Sequence, residues 1–100
     1  MILHTVNKSP LTDTTFTSCV RCAAEHDSIL LLEDGVYGAL TGTLVEPFMA
    51  AAIKVHSIYV LQEDLKARGL DTPLIAGIQI VDYAGFVDLT VEHSKVHSWF

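Results

Sequence analysis

Ser28-Ile29-Leu30-Leu31-Leu32, closed by Glu33-Asp34-Gly35, decides the fold of this 100-residue chain. The run is apolar at every position after Ser28, where a strand with one wet face would alternate. An unbroken apolar strand belongs in a parallel sheet whose two faces are both covered. Upstream, Ile2 to Val6 reads as a second short apolar strand, ended by Asn7-Lys8-Ser9-Pro10, since Pro10 disfavours helix at Ser9. Thr12 or Asp13 can then cap a helix through a side-chain oxygen. Phe16, Cys19, Val20 and Ala23 fall at i, i+3, i+4 and i+7, one buried helical face, and His26-Asp27 ends the helix.

Downstream, Val36 to Leu40 reads as a short helix, and Val45 to Ile53, with Pro47 near its start, as a longer one. Val55 to Leu61 is the next strand, and Gln62 to Arg68 a short helix closed by Gly69. Ile78 to Val81 is a fourth strand. Tyr83 to Glu92 suits a helix with Phe86, Val87 and Thr90 inward, and Val96 to Phe100 a fifth strand. Alternating strands and helices predict an α/β fold: one domain over residues 1–100, with about five mainly parallel strands and helices on both faces. The flavodoxin-like order 2-1-3-4-5 is the commonest arrangement of such a sheet, and ligands collect at the carboxyl ends of its strands. Asn7 to Thr12, Glu33 to Tyr37, Gln62 to Asp64 and Asp82 to Gly85 would lie on that edge.

Half of the residues are hydrophobic and mean hydropathy is +0.39, rich for a domain this small. A surplus of apolar side chains beyond the core predicts a protein partner that covers them. No apolar run approaches the roughly 20 residues that span a bilayer, and the N-terminus lacks a basic region and a small-residue cleavage site. The expectation is a cytoplasmic protein without a membrane partner. A net charge of −6 with only six basic residues disfavours direct nucleic-acid binding, which depends on Lys and Arg displacing counterions.

Cys19 is the candidate reactive residue, and two readings of it stand open. Free cysteine is often a small buried side chain. Alternatively, Cys19 lies about 50° from the centre of the apolar stripe at about 100° per residue, which would leave its thiol partly accessible at a rim. In that position a helix dipole would assist it only weakly, beyond the first turn. Cys19-Val20-Arg21-Cys22 is a C-x-x-C, but both cysteines lie inside the helix, unlike a redox dithiol at a helix start. The five histidines and two cysteines show no zinc spacing, and Asp13 would repel a flavin phosphate from the Ser9 to Thr15 loop. No metal and no cofactor is therefore expected. Glu33-Asp34 and Glu63-Asp64 read as rim and capping residues.

Taken together, the segments resemble the DsrH/TusB family of the wider DsrE-like sulfur-relay group. The resemblance is carried by Ile2 to Pro10, Leu31-Leu32-Glu33-Asp34-Gly35-Val36-Tyr37, Tyr59-Val60-Leu61, Asp64 to Gly69, Val81 to Thr90 and the aromatic end Trp99-Phe100. It implies a flavodoxin-like (DsrE-like) domain in a cytoplasmic heterohexamer with DsrE/TusD-like and DsrF/TusC-like subunits. It further implies sulfur passed as cysteine persulfide to a DsrC/TusE-like acceptor. DsrH-like members, which serve sulfur oxidation, carry a cysteine in the first helix, and Cys19 matches it. Many TusB-like members, which serve 2-thiolation of the tRNA wobble uridine, lack it. The resemblance thus leans toward the DsrH branch with Cys19 as candidate persulfide carrier. The alternative is a mainly structural TusB-like subunit in which Cys19 is only packed. Cys22 has no assigned role.

Overall fold

The computed structural model describes residues 1–100. Strand β1 (Ile2–Val6) leads to helix α1 (Thr15–Cys22) and strand β2 (Ser28–Leu31). A 3₁₀ segment (Glu33–Ala39) and helix α2 (Glu46–Ile53) connect to β3 (Ser57–Leu61). Helix α3 (Gln62–Ala67), β4 (Gln79–Val81), helix α4 (Tyr83–Glu92) and β5 (Lys95–Trp99) complete the chain. All five strands are parallel. The expected fold class is met, and Gly69 ends α3 with a left-handed φ of 65°, as a C′ glycine should. The first helix stops at Cys22, four residues short of His26.

The strand order is β4-β3-β2-β1-β5, which corrects the expected 2-1-3-4-5. Strands β2, β3 and β4 each pair with the strand before them, so the sheet grows in one direction, and the last crossover returns β5 to the free side of β1. Right-handed crossovers place helices on one face while the sheet grows one way and on the opposite face when it turns back. The packing follows this division. Val6, Ile29, Leu31, Ile58 and Val60 form one core with Phe16 and Cys19 of α1, Val36 and Ala39 of the 3₁₀ segment, Met49 and Ala52 of α2 and Leu65 of α3. On the other face only α4 packs, through Leu89 against Leu3 and Leu30, with Phe86 half-buried beside it. Val87, expected inward, is 60 % exposed. It stands about 200° round the helix from Leu89, so the two cannot share a face. Because α4 is apolar on several sides, its sequence carries no single stripe to choose from.

At the amino ends of the strands a buried carboxylate ties the elements together. Asp27 Oδ1 accepts the Ile2 N–H at 3.0 Å. Its Oδ2 accepts from Ala24 N at 3.0 Å and His4 Nε2 at 2.9 Å. The Asp27 carbonyl accepts His56 Nδ1–H at 3.1 Å. Trp99 Nε1 donates to His4 Nδ1 at 3.0 Å. An indole N–H can only donate, so His4 carries its proton on Nε2 and donates it to Asp27 in a hydrogen bond. His97, opposite His4 in the β1–β5 register, stacks on Trp99 with ring centroids 4.6 Å apart. Burial pushes the Asp27 carboxyl up, but the hydrogen bonds from His4, Ile2 and Ala24 outweigh it and hold the group at about 2.

A carboxyl held below its unfolded value stabilises the fold above the unfolded pKa, and that contribution disappears as pH falls through the folded one. The wild type should therefore lose an Asp27-dependent part of its stability between about pH 4 and pH 2. Asp27→Asn should lower stability at pH 7 by about 2 kcal/mol, because its amide cannot accept at both oxygen positions. Its stability should also change less over the acid range. Urea unfolding followed by the fluorescence of the single tryptophan, Trp99, checks both. Equal acid dependence in the two proteins would show that Asp27 does not supply it.

Candidate functional site

The residues expected on the carboxyl edge do meet there. The end of β2 and the 3₁₀ segment converge on the Val6 carbonyl: Leu32 N donates to it at 3.1 Å, and a Cβ on Gly35 would lie 2.2 Å from it. Only glycine allows the 3₁₀ segment to dock this closely on the end of β1. Glu33, at the turn into that segment, has a φ of 50°. Its N–H is accepted by Asp64 Oδ2 at 2.6 Å, and its Oε2 accepts Asn7 Nδ2 at 3.3 Å. Arg68 holds Asp34 through Nε and Nη2, both at 3.0 Å, and its Nη1 lies 3.9 Å from Asp64 Oδ1. Asp82 caps α4 by accepting Gly85 N–H at 2.8 Å, and Glu63 Oε2 accepts Tyr83 N–H at 3.3 Å. The acidic residues here act as caps and rim residues, as the sequence suggested: Asp64, Asp82 and Glu63 accept backbone N–H groups, Asp34 pairs with Arg68, and Glu33 accepts from the Asn7 side chain.

Beside this edge lies an open cavity of about 370 Å³ lined by Ser9, Leu11, Thr12, Asp34 and Tyr37. Gly38 packs beneath Pro10 so closely that a Cβ there would lie 2.7 Å from Pro10 Cγ. A second open cleft, of about 400 Å³, lies at the opposite end of the strands between Met1, His26, Lys54 and His56. Cys19 lines neither.

The position of Cys19 corrects the expectation of a rim thiol. The residue is 0 % exposed and packs within the larger core beside Phe16 and beneath the sheet. As the fifth residue of α1 it also lies past the first turn, where dipole assistance has faded. Burial, with smaller contributions from the neighbouring Cys22 and Asp27, pushes the thiol up to about 12. A thiol held that high stays protonated at neutral pH, and it is the thiolate that reacts. The 50° offset from the stripe centre does not reach solvent, because Cys19 belongs to the core that α1 forms against the sheet. Cys22 is the exposed thiol of the pair, and the two form no disulfide. No group of three or more His, Cys, Asp and Glu side chains is gathered as metal ligands.

The Asp27–His4–Trp99 chain is not foreshadowed by the sequence motifs. The signal available was a histidine at the centre of an otherwise apolar strand and an aspartate immediately before the next one. Nothing in the spacing of His4, Asp27 and Trp99 links them, because only the parallel pairing of β5 with β1 brings Trp99 to His4.

No helix is long and apolar enough to cross a membrane. The family model described as "DsrH like protein" matches residues 8–96. Protein TusB of Shigella flexneri is 45 % identical over 100 residues, covering 98 % of this chain and 100 % of that protein. Protein TusB of Escherichia coli (strain K12 / DH10B) is 44 % identical with the same coverage. Among solved structures, the ychN protein from E. coli superposes with a TM-score of 0.83 at 18 % identity, over 97 % of each chain. MTH1491 from Methanobacterium thermoautotrophicum, a protein of unknown function, superposes with a TM-score of 0.72 at 13 % identity, over 97 % of this chain and 96 % of that one. At those identities the structures speak for the fold alone. The full-length match to TusB proteins and the family model over most of the chain place this protein in the DsrH/TusB family.

Proposed function

We propose that this chain is a TusB-like subunit of a cytoplasmic sulfur-relay complex serving 2-thiolation of the tRNA wobble uridine, and that it acts as a structural subunit. The observation that carries the structural role is the complete burial of Cys19. A persulfide relay needs a thiolate that an incoming sulfur donor can reach, and needs the product to meet a second thiol. A buried thiol pushed up to about 12 offers neither. The persulfide chemistry then belongs to a sister subunit of the DsrE/TusD-like kind, with a DsrF/TusC-like subunit completing a heterohexamer and a DsrC/TusE-like protein accepting the sulfur. The full-length similarity to TusB proteins supports the thiolation pathway.

The second reading is a DsrH-like subunit in dissimilatory sulfur oxidation with Cys19 as the persulfide carrier. It draws on the DsrH-like family model and on the place of Cys19 in the first helix. It requires α1 to move away from the sheet for sulfur to reach Cys19.

Two measurements separate the readings. In the native protein, iodoacetamide should label Cys22 within minutes and leave Cys19 unmodified until denaturant is added, as read by peptide mass spectrometry. In a strain lacking this chain, 2-thiouridine in tRNA should fall, and Cys19→Val should restore it to within about twofold of wild type, since a buried apolar replacement keeps the packing. Cys19→Ser should fold, with a loss of about 1–3 kcal/mol from a buried hydroxyl left without a partner. Loss of thiolation with Cys19→Val in a folded protein, together with a mass gain of one sulfur on wild-type Cys19, would establish the carrier reading instead.

A further inference from the structure

The two faces of the sheet are covered unequally, and α4 is the only element on its side. Its outer surface carries Tyr83, Val87 and Val91, which are 57 %, 60 % and 79 % exposed. Their spacing of four residues puts them in one row along the helix. Exposed apolar residues standing singly are ordinary, and Leu44, isolated in a turn, is one of them. Three in a row on the outward side of a helix are a surface. On the same side of the sheet β5 leaves Val96 exposed, since Val96 lies opposite Leu3 in the register and so shares its face.

Beside the apolar row runs an acidic one. Asp88 and Glu92, also four apart, are both exposed, and neither forms an ion pair within the chain. Lys95, the nearest cation in sequence, pairs with Ile2 and by its register points to the opposite face of the sheet. The surface is therefore an apolar ridge with an uncompensated negative flank.

That pattern selects the occupant. In an antiparallel two-fold pairing of α4 with a second copy, Val87 would meet Val87, and each acidic row would meet its own image. Like charges brought together at a desolvated interface oppose association, and each copy adds a net charge of −6. We infer that the outer face of α4 docks a non-identical subunit that presents an amphipathic helix with an apolar ridge flanked by lysine or arginine. Side chains four apart on that helix fit the ridges of α4, and its cations pair with Asp88 and Glu92. This rests on the proposed role as a subunit of a heteromeric complex, and it names the surface and the partner chemistry that role would use.

The test is co-expression with the DsrE/TusD-like and DsrF/TusC-like subunits of the same organism, followed by size-exclusion chromatography and measurement of subunit affinity. Val87→Asp/Val91→Asp should keep the wild-type thermal transition, because both positions are exposed, and should weaken assembly at least tenfold. Asp88→Lys/Glu92→Lys, which leaves the apolar row intact, should also weaken it, and should remove the salt sensitivity of wild-type assembly. Wild-type assembly unaffected by either double substitution would overturn the inference while leaving the proposed function standing. A wild-type chain that joins neither subunit would overturn the proposed function and this inference with it. A wild-type homodimer abolished by Val87→Asp/Val91→Asp would assign the face to a second copy and overturn the choice of partner.

Discussion

One buried carboxylate organises the amino end of this sheet. Asp27 receives the first N–H of β1, an N–H from the chain leaving α1, and the imidazole of His4. Its own carbonyl receives His56, just ahead of β3. Through His4 the same group reaches Trp99 on β5. A buried anion without partners would be strongly unfavourable, so the converging donors are what let Asp27 stay ionised in the fold. Their convergence aligns β1, β2 and β3 and recruits β5 to the free side of β1. The strand order that departs from the flavodoxin arrangement is thereby given a local chemical anchor, with the His97–Trp99 stack reinforcing it at the sheet edge.

The order has a consequence for the surface. Three successive strand additions in one direction load α1, the 3₁₀ segment, α2 and α3 onto one face, and a single return crossover leaves α4 alone on the other. A lone helix cannot cover a five-stranded sheet and bury its own apolar residues as well. Chain topology sets four of the exposed apolar side chains, Tyr83, Val87, Val91 and Val96, on the side that α4 covers alone. The hydrophobic excess visible in the composition becomes a located surface only when the sheet is assembled.

The heavily loaded face has the opposite effect on Cys19. Packing that fills the space under β1 and β5 removes the thiol from solvent and raises its pKa together, since the same apolar surroundings that exclude water also disfavour the thiolate. Cys19 is thus packed as a core side chain of the first helix. Cys22, one turn on, shows the contrast: same helix, exposed, and at no cavity or convergence of functional groups.

The elements and the fold class were legible in local sequence. Unbroken apolar runs such as Ile29 to Leu32, the punctuation by Pro10, Gly35 and Gly69, and the regular alternation of strands with helices were all local signals. Local chemistry controls them, so they appear in the folded chain in the expected order, with boundaries moved by up to about four residues. The family was also legible, because its motifs are short stretches in a fixed order. Which strands are neighbours, whether Cys19 meets water and which side of α4 faces the sheet emerge only in the folded chain. Each of these depends on pairing between residues far apart in the chain: Trp99 with His4, Leu89 with Leu3 and Leu30, the Gly35 backbone with Val6. Helical periodicity can place Cys19 at about 50° from a stripe, but whether that flank meets water depends on the assembled sheet that α1 packs against, whose strand order no local signal encodes.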